Sequence, residues 1–105
     1  MTGGDKMDRM IRKAQRMEKR VEDVKKKLGK RVFQGTAGGD QVTVQMNGEH
    51  QVQSVRIDPA VIDPADPELL ERLVLDAVND AVGVAKLISD REMKRATKGF
   101  AVPGM

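Results

Sequence analysis

The sequence is marked first by the residue types that it lacks. It contains no cysteine, tryptophan or tyrosine, a single histidine at His50, and two phenylalanines, Phe33 and Phe100. Without cysteine, the chain cannot form a disulfide or a thiolate zinc site. With so few aromatic rings it cannot stack many bases, as most single-strand and RNA readers do. Any binding to nucleic acid would therefore depend on charge and hydrogen bonds.

Long apolar runs are also absent. The first six residues lack the apolar core of a signal peptide, and no stretch reaches the roughly 18 apolar residues of a membrane span. At 105 residues, the chain is expected to form one domain with a modest core that is completed by association. We therefore expect a soluble, cytoplasmic homo-oligomer of single-domain chains, spanning residues 1–105.

Residues for catalysis or metal binding are sparse. His50 follows a turn sequence, and no cysteine and only two serines are available to act with it, so nucleophile and base do not converge. Three aspartates cluster after the third predicted strand, but without the spacing or the glycine of a calcium loop. These are Asp58, Asp63 and Asp66. We expect no enzyme, no metal, no cofactor and no small-molecule substrate.

The first helix, predicted from about residue 5 or 6 to about 28, separates its charges by sign. Apolar residues recur from Met7 to Leu28 with the alternating three and four spacing of a heptad. Nine of the ten positions on one polar face are basic, and Asp23 is the exception. The basic residues are Arg9, Arg12, Lys13, Arg16, Lys19, Arg20, Lys26, Lys27 and Lys30. Gly29 is expected to end the helix.

This one-signed face predicts an anionic partner. Between Lys6 and Arg31 the chain carries twelve basic and four acidic residues, a net +8, although the whole chain is only +3. Basic residues four apart, such as Arg12 and Arg16, repel each other and weaken the helix, which indicates a use for the charge. Nucleic acid is the favoured partner. An acidic protein or lipid surface, or a merely solvated helix, is the alternative.

Three strands are predicted next, at about 32–35, 41–46 and 51–58. Val42, Val44 and Met46 alternate with polar residues, as in a strand with one buried face. Asn47 and Gly48 predict a tight hairpin, because both can adopt positive φ. The apolar positions shift after Val52, which predicts a bulge near residue 53 or 54.

A second long helix is predicted from Pro67 to about Ala96, followed by a tail over 97–105. Asp66 is a suitable N-cap and Pro67 suits the first helical position. Apolar residues occupy most of the circumference, which indicates burial on more than one side, by the sheet and by a partner chain. The predicted dimerisation residues are Leu73, Val74, Ala77, Val78, Ala81 and Val84.

Four segments together resemble the YbaB/EbfC family of bacterial nucleoid-associated proteins. They read MDRMIRKAQRM at 7–17, GTAGGDQVTVQMNG at 35–48, VRIDP at 55–59 and LVLDAVNDA at 73–81. The resemblance implies an α+β fold with a long N-terminal helix, a three-stranded antiparallel sheet and a long C-terminal helix. It also implies a two-layer homodimer with protruding helices that binds double-stranded DNA in the nucleoid.

Two groups of basic residues match the DNA-binding parts of that family. The N-terminal helix contributes Arg9, Arg12, Lys13, Arg16, Lys19 and Arg20, extended by Lys25, Lys26 and Lys27. The C-terminal helix contributes Arg91, Lys94, Arg95 and Lys98. We expect mainly contacts to backbone phosphates, with little sequence preference, and an effect on chromosome organisation and gene expression. The alternative is a helical adaptor or chaperone that binds a protein partner.

Overall fold

In the computed structural model, which describes residues 2–98, one long helix precedes a three-stranded sheet and a second long helix follows it. Helix α1 spans Thr2–Lys30, and the strands are β1 Val32–Ala37, β2 Val42–Asn47 and β3 Val52–Ile57. A short 3-10 turn at Pro59–Val61 leads to helix α2, Pro67–Thr97. The strands are antiparallel in the order β1-β2-β3. The predicted α+β class is confirmed. The tail predicted over 97–105 lies mostly outside the described residues.

The end of α1 differs from the prediction, because Gly29 does not stop the helix. The helix continues to Lys30, and the amide of Arg31 still donates to the carbonyls of Lys27 and Leu28 at 3.1 and 3.2 Å. Gly48, in the loop after β2, contacts the backbone carbonyl of Leu28 so closely that a Cβ on it would overlap that oxygen. The end of α1 therefore packs against the β2–β3 hairpin, a contact between distant parts of the chain that the local sequence does not reveal.

The predicted bulge in β3 is confirmed. Gln45 pairs with Ser54, but Met46 pairs with Val52, so Gln53 is the extra residue of the third strand. The shift keeps Val52 and Val55 on the same face of the sheet despite their odd separation.

The loop between β2 and β3 covers residues 48–51 and differs in geometry from the turn expected at Asn47 and Gly48. The side chain of Asn47 accepts hydrogen bonds from the amides of Glu49 and Gln51, at 2.9 and 3.0 Å. Positive φ occurs at His50, at 62°, and neither Asn47 nor Gly48 adopts it. The loop also has backbone hydrogen bonds, because the amide of His50 donates to the Asn47 carbonyl and the amide of Asn47 donates to the Gln51 carbonyl, both at 3.0 Å. The asparagine side chain adds to these bonds, as in an Asx turn.

Helix α2 begins where it was predicted and packs closely on β1 and β2. The Asp66 carboxylate accepts from the amide of Leu69 at 3.3 Å, as an N-cap does. Gly35 of β1 touches the backbone of α2, since a Cβ there would lie 2.7 Å from the Cα of Ala81. The buried core joins α2 to β2 through Val42, Val44, Met46, Val61, Leu73, Ala77 and Ala81.

The two edges of the sheet are exposed to different degrees. The carboxylate of Asp80 in α2 accepts a hydrogen bond from the amide of Thr36 at 2.9 Å, which blocks part of the β1 edge. All of β3 before Ile57 is exposed. An apolar surface therefore remains open beside β3.

Candidate nucleic-acid interface

Helix α1 projects from the rest of the chain as an arm. Its last turns pack on the body through Val24 and Leu28, which contact Phe33 and Ala85. Every described side chain from residue 4 to residue 16 is exposed, and the molecule extends 80 Å along its longest axis. We call residues 4–20 the arm. Because no other part of residues 2–98 covers its outer half, a ligand can reach it from all sides.

The basic face predicted from the sequence is exposed along its whole length. It comprises Arg9, Arg12, Lys13, Arg16, Lys19, Arg20, Lys26, Lys27 and Lys30. The opposite side of α1 packs on the body at Leu28, and residues on opposite sides of a helix point in opposite directions. From Arg9 to Arg20 the basic face is therefore directed into solvent, whereas Lys26 and Lys30 at the base of the helix lie beside the β2–β3 hairpin.

Few of these charges are neutralised within the chain. Lys26 lies 4.0 Å from a carboxylate oxygen of Glu22, and both side chains are largely exposed. Within residues 2–98, Arg9, Lys13, Arg16 and Lys19 form no ion pair. The exposed ion pair between Lys26 and Glu22 contributes only about 0 to 1 kcal/mol to stability. Most of the positive charge is thus available to an external anion.

The predicted basic residues at the end of α2 are also exposed. Arg95 lies 3.7 Å from a carboxylate oxygen of Glu92, while Arg91, Lys94 and Lys98 have no ion pair among the described residues. This end of α2 contacts the base of α1, since Met93 packs in the same cluster as Leu28. The two basic groups are therefore carried by neighbouring helices.

Lys25 is placed differently from the neighbours with which it was grouped. It lines a shallow groove on α1 together with Met17, Glu18, Val21 and Glu22. Glu18 and Glu22 of the acidic flank share this groove, so Lys25 lies at the border between the acidic flank and the basic face. It also lines a cleft between α1 and the hairpin, with Lys26 and Lys30.

The predicted dimerisation residues are divided between the interior and the surface. Leu73, Ala77 and Ala81 are buried against the sheet of their own chain, so assigning them to a dimer contact is wrong. Val84 packs in the cluster around Leu28. Alanine at two successive turns brings α2 close to β1, which explains why these apolar positions face inward.

Val74 and Val78 lie on a flank of α2 that remains partly exposed. They line a groove with Leu70, Glu71 and Leu75. Asp80 binds the β1 edge, and helical spacing places Val74 and Val78 on the other flank, toward β3. The pairing of Val52 with Met46 and of Val55 with Val44 places these two exposed valines on the same face of the sheet as the core under α2. We call Leu70, Val74, Leu75, Val78, Val52 and Val55 the apolar face.

The clustered aspartates have structural roles that are visible in their hydrogen bonds. Asp58 accepts from the amide of Ala60 at 3.0 Å, and Asp63 accepts from that of Ala65 at 2.9 Å. Together with the Asp66 cap, each carboxylate stabilises a turn or a helix end. No group of three potential metal ligands occurs within residues 2–98.

No helix in the described part of the chain is long and apolar enough to cross a membrane.

Comparison with known proteins places this arrangement in a family. Residues 3–100 match the model of the YbaB/EbfC DNA-binding family. The chain belongs to this family. A nucleoid-associated protein of Clostridium kluyveri is 43% identical over 103 residues, covering 98% of this chain and 90% of the relative. One from Chloroflexus aurantiacus is 40% identical over 91 residues, covering 87% and 91% of the two chains.

A third relative supports the same assignment. The nucleoid-associated protein of Clostridium acetobutylicum is 36% identical over 103 residues, with 98% of this chain and 92% of the relative covered. The resemblance to the YbaB/EbfC family read from the sequence is thereby confirmed. The match includes both the arm and the basic end of α2.

Proposed function

We propose that this YbaB/EbfC chain binds double-stranded DNA mainly through backbone phosphates, with little sequence specificity. The observation that supports this most directly is the exposed basic face on a helix that projects from the body. Lys and Arg that neutralise phosphates release condensed counterions, which drives binding without reading bases. Only two phenylalanines are present, so stacking on unpaired bases would contribute little.

The length of the basic face suits a duplex. From Arg9 to Lys30 the helix rises about 31 Å at 1.5 Å per residue, close to the roughly 34 Å of one duplex turn. A helix lying along the phosphates could contact several of them in succession.

Organisation of the bacterial nucleoid is the cellular role that we infer. The relatives from Clostridium and Chloroflexus are named nucleoid-associated proteins. A protein that binds without sequence preference would coat or bridge DNA and so change the access of polymerase and regulators. Effects on gene expression would follow from that access, and the protein would be located at the nucleoid in the cytoplasm.

A homodimer formed through the apolar face is the second part of the proposal. The groove on α2 is bounded by apolar side chains, and the exposed β3 leaves its outer edge available for a neighbouring chain. A contiguous apolar surface of this kind marks an interaction site. With a two-fold axis at this face, the same residues of both chains would meet, and each dimer would present two arms to DNA.

A protein partner is the second candidate, and the tip of the arm supports it. Met7, Met10 and Ile11 are exposed there, and methionine-rich helix faces adapt readily to other helices. An adaptor of this type would retain its partner after nuclease treatment of a lysate, whereas association through DNA would be lost.

Competition between nucleic acids tests the DNA proposal. A labelled random duplex of 30 base pairs would be bound by the protein and displaced by unlabelled duplexes of unrelated sequence and by a single strand. We expect the duplexes to compete within about threefold of one another, because a base-reading protein loses about 1–3 kcal/mol at each wrong base pair. We expect the single strand to compete less well. One duplex that competed about 100-fold better than the others would contradict low specificity.

A further inference from the structure

A polar cleft separates the end of α1 from the β2–β3 hairpin. Its volume is about 540 Å³. We call it the hairpin cleft. It is lined by Lys25, Lys26, Gly29, Lys30, Asn47, Glu49 and Gln53.

The two walls of the hairpin cleft are held in fixed positions. Gly48 packs against the Leu28 carbonyl so closely that no side chain would fit between α1 and the hairpin. Asn47 is only 8% exposed, and its side chain donates to the Gln51 side chain at 2.8 Å while accepting from two loop amides. Because the backbone on both sides of the cleft is already held in place, ligand binding would not require the loop to become ordered.

The β-bulge supplies a polar side chain to this cleft. Gln53 is the extra residue in β3, and it lines the cleft beside the lysines. Bulges commonly redirect a side chain relative to the regular alternation of a strand. The glutamine amide offers donors to an anion that the lysine ammonium groups attract.

Positive charge dominates the hairpin cleft. Three lysines line it, and Glu49 is its one carboxylate among the described residues. Lys25 and Lys30 form no ion pair within residues 2–98. Lys26 and Lys30 belong to the basic face as well, so the cleft adjoins the surface on which DNA would lie.

We propose that the hairpin cleft binds a backbone phosphate of the duplex, contacted by the Lys30 ammonium and the Gln53 amide. This inference rests on the proposed function, because it places the duplex along the basic face. It extends the interface from the arm onto the β2–β3 hairpin. Glu49 opposes the bound phosphate and limits its affinity.

The first test compares two lysine substitutions that remove the same charge. Lys30→Gln removes a cleft charge, and Lys86→Gln removes one from the exposed side of α2 outside the cleft. We expect Lys30→Gln to weaken duplex binding by about fivefold at low salt, and to reduce the slope of log affinity against log salt by about 0.9, the value for one phosphate. Lys86→Gln is expected to change the affinity by less than about twofold and to leave the slope unchanged.

The second test removes a negative charge from the same cleft, so the expected change in duplex affinity is an increase. Glu49→Gln removes the opposing carboxylate without changing the shape of the side chain, and we expect it to strengthen duplex binding by about threefold. Asp76→Asn, with the same charge change on an exposed part of α2, is its control. A merely structural role of the two cleft residues would not yield effects of opposite sign.

The outcomes separate this inference from the proposed function. If the wild-type protein binds duplex DNA but Lys30→Gln and Glu49→Gln match their controls, the hairpin cleft is not a phosphate site, and the duplex is bound by the rest of the basic face, without Lys30. If the wild-type protein does not bind duplex DNA, the proposed function fails. Circular dichroism of each variant would establish that the fold is intact.

Discussion

Changing Arg12, Lys13 and Arg16 together to Glu is expected to reduce duplex binding by about 100-fold or more. These residues lie side by side on the exposed part of the arm, so the substitution removes their phosphate contacts and places three carboxylates against the same phosphates. The fold should not change, because all three side chains are exposed and contact no part of the core. Fluorescence anisotropy of a labelled duplex would measure the loss.

A charge-matched variant on the body is the control for this result. Arg56, Arg72 and Lys86 are also exposed but lie outside the basic face, and their change to Glu alters net charge by the same amount. At about 0.15 M salt, charges more than about 8 Å from the DNA are screened, so only a small loss is expected. Equal losses in the two triple variants would mean that net charge, and not the arm, determines binding.

Leu75→Glu is expected to convert the proposed dimer to a monomer. Leu75 is 60% exposed and lines the groove of the apolar face. A glutamate there would be buried without a partner when two chains meet, which costs several kcal/mol, yet it would remain in water in the single chain. Light scattering should give about twice 11.6 kDa for the wild-type protein and about 11.6 kDa for the variant.

Leu87→Glu is the matched control on the same helix. Leu87 is also 60% exposed, but helical spacing places it away from Leu75 and outside the apolar face. This variant should remain a dimer. A wild-type mass near 11.6 kDa, or dissociation by both substitutions, would contradict the dimer surface proposed above.

Local patterns were sufficient to predict much of the fold. The alternation of Val42, Val44 and Met46 predicted the buried face of β2, and the shift after Val52 predicted the bulge that the pairing confirms. The Asp66 cap follows from chemistry within four residues of the chain. These features depend on neighbours in sequence, which is why composition and spacing reveal them.

Features that depend on distant parts of the chain were not predicted. Gly29 was expected to end α1, but it lies within the last turn of the helix. The apolar circumference of α2 also gave no sign that Ala77 and Ala81 would face the sheet while Val74 and Val78 stayed partly exposed. Which residues of α2 face the sheet depends on the close approach of the helix to β1, which Gly35 permits because it has no side chain.

In the candidate site, too, the part formed by one helix was predicted from the sequence and the part formed by distant segments was not. Heptad spacing alone predicted that the basic residues of α1 share one face, and the structure shows that face to be exposed. The hairpin cleft could not be predicted, because it combines Lys30 from α1 with Gln53 from β3. The packing of Gly48 against α1 and of Leu28 on Phe33 brings these side chains together.

Salt dependence of duplex binding tests the central claim most directly. A labelled random duplex of about 30 base pairs would be titrated with the wild-type protein at several salt concentrations. We expect the affinity to fall by about 10³ or more between 50 and 200 mM salt, as six to ten phosphate contacts require. An affinity that hardly changes with salt, or no binding at 50 mM salt, would contradict binding through backbone phosphates.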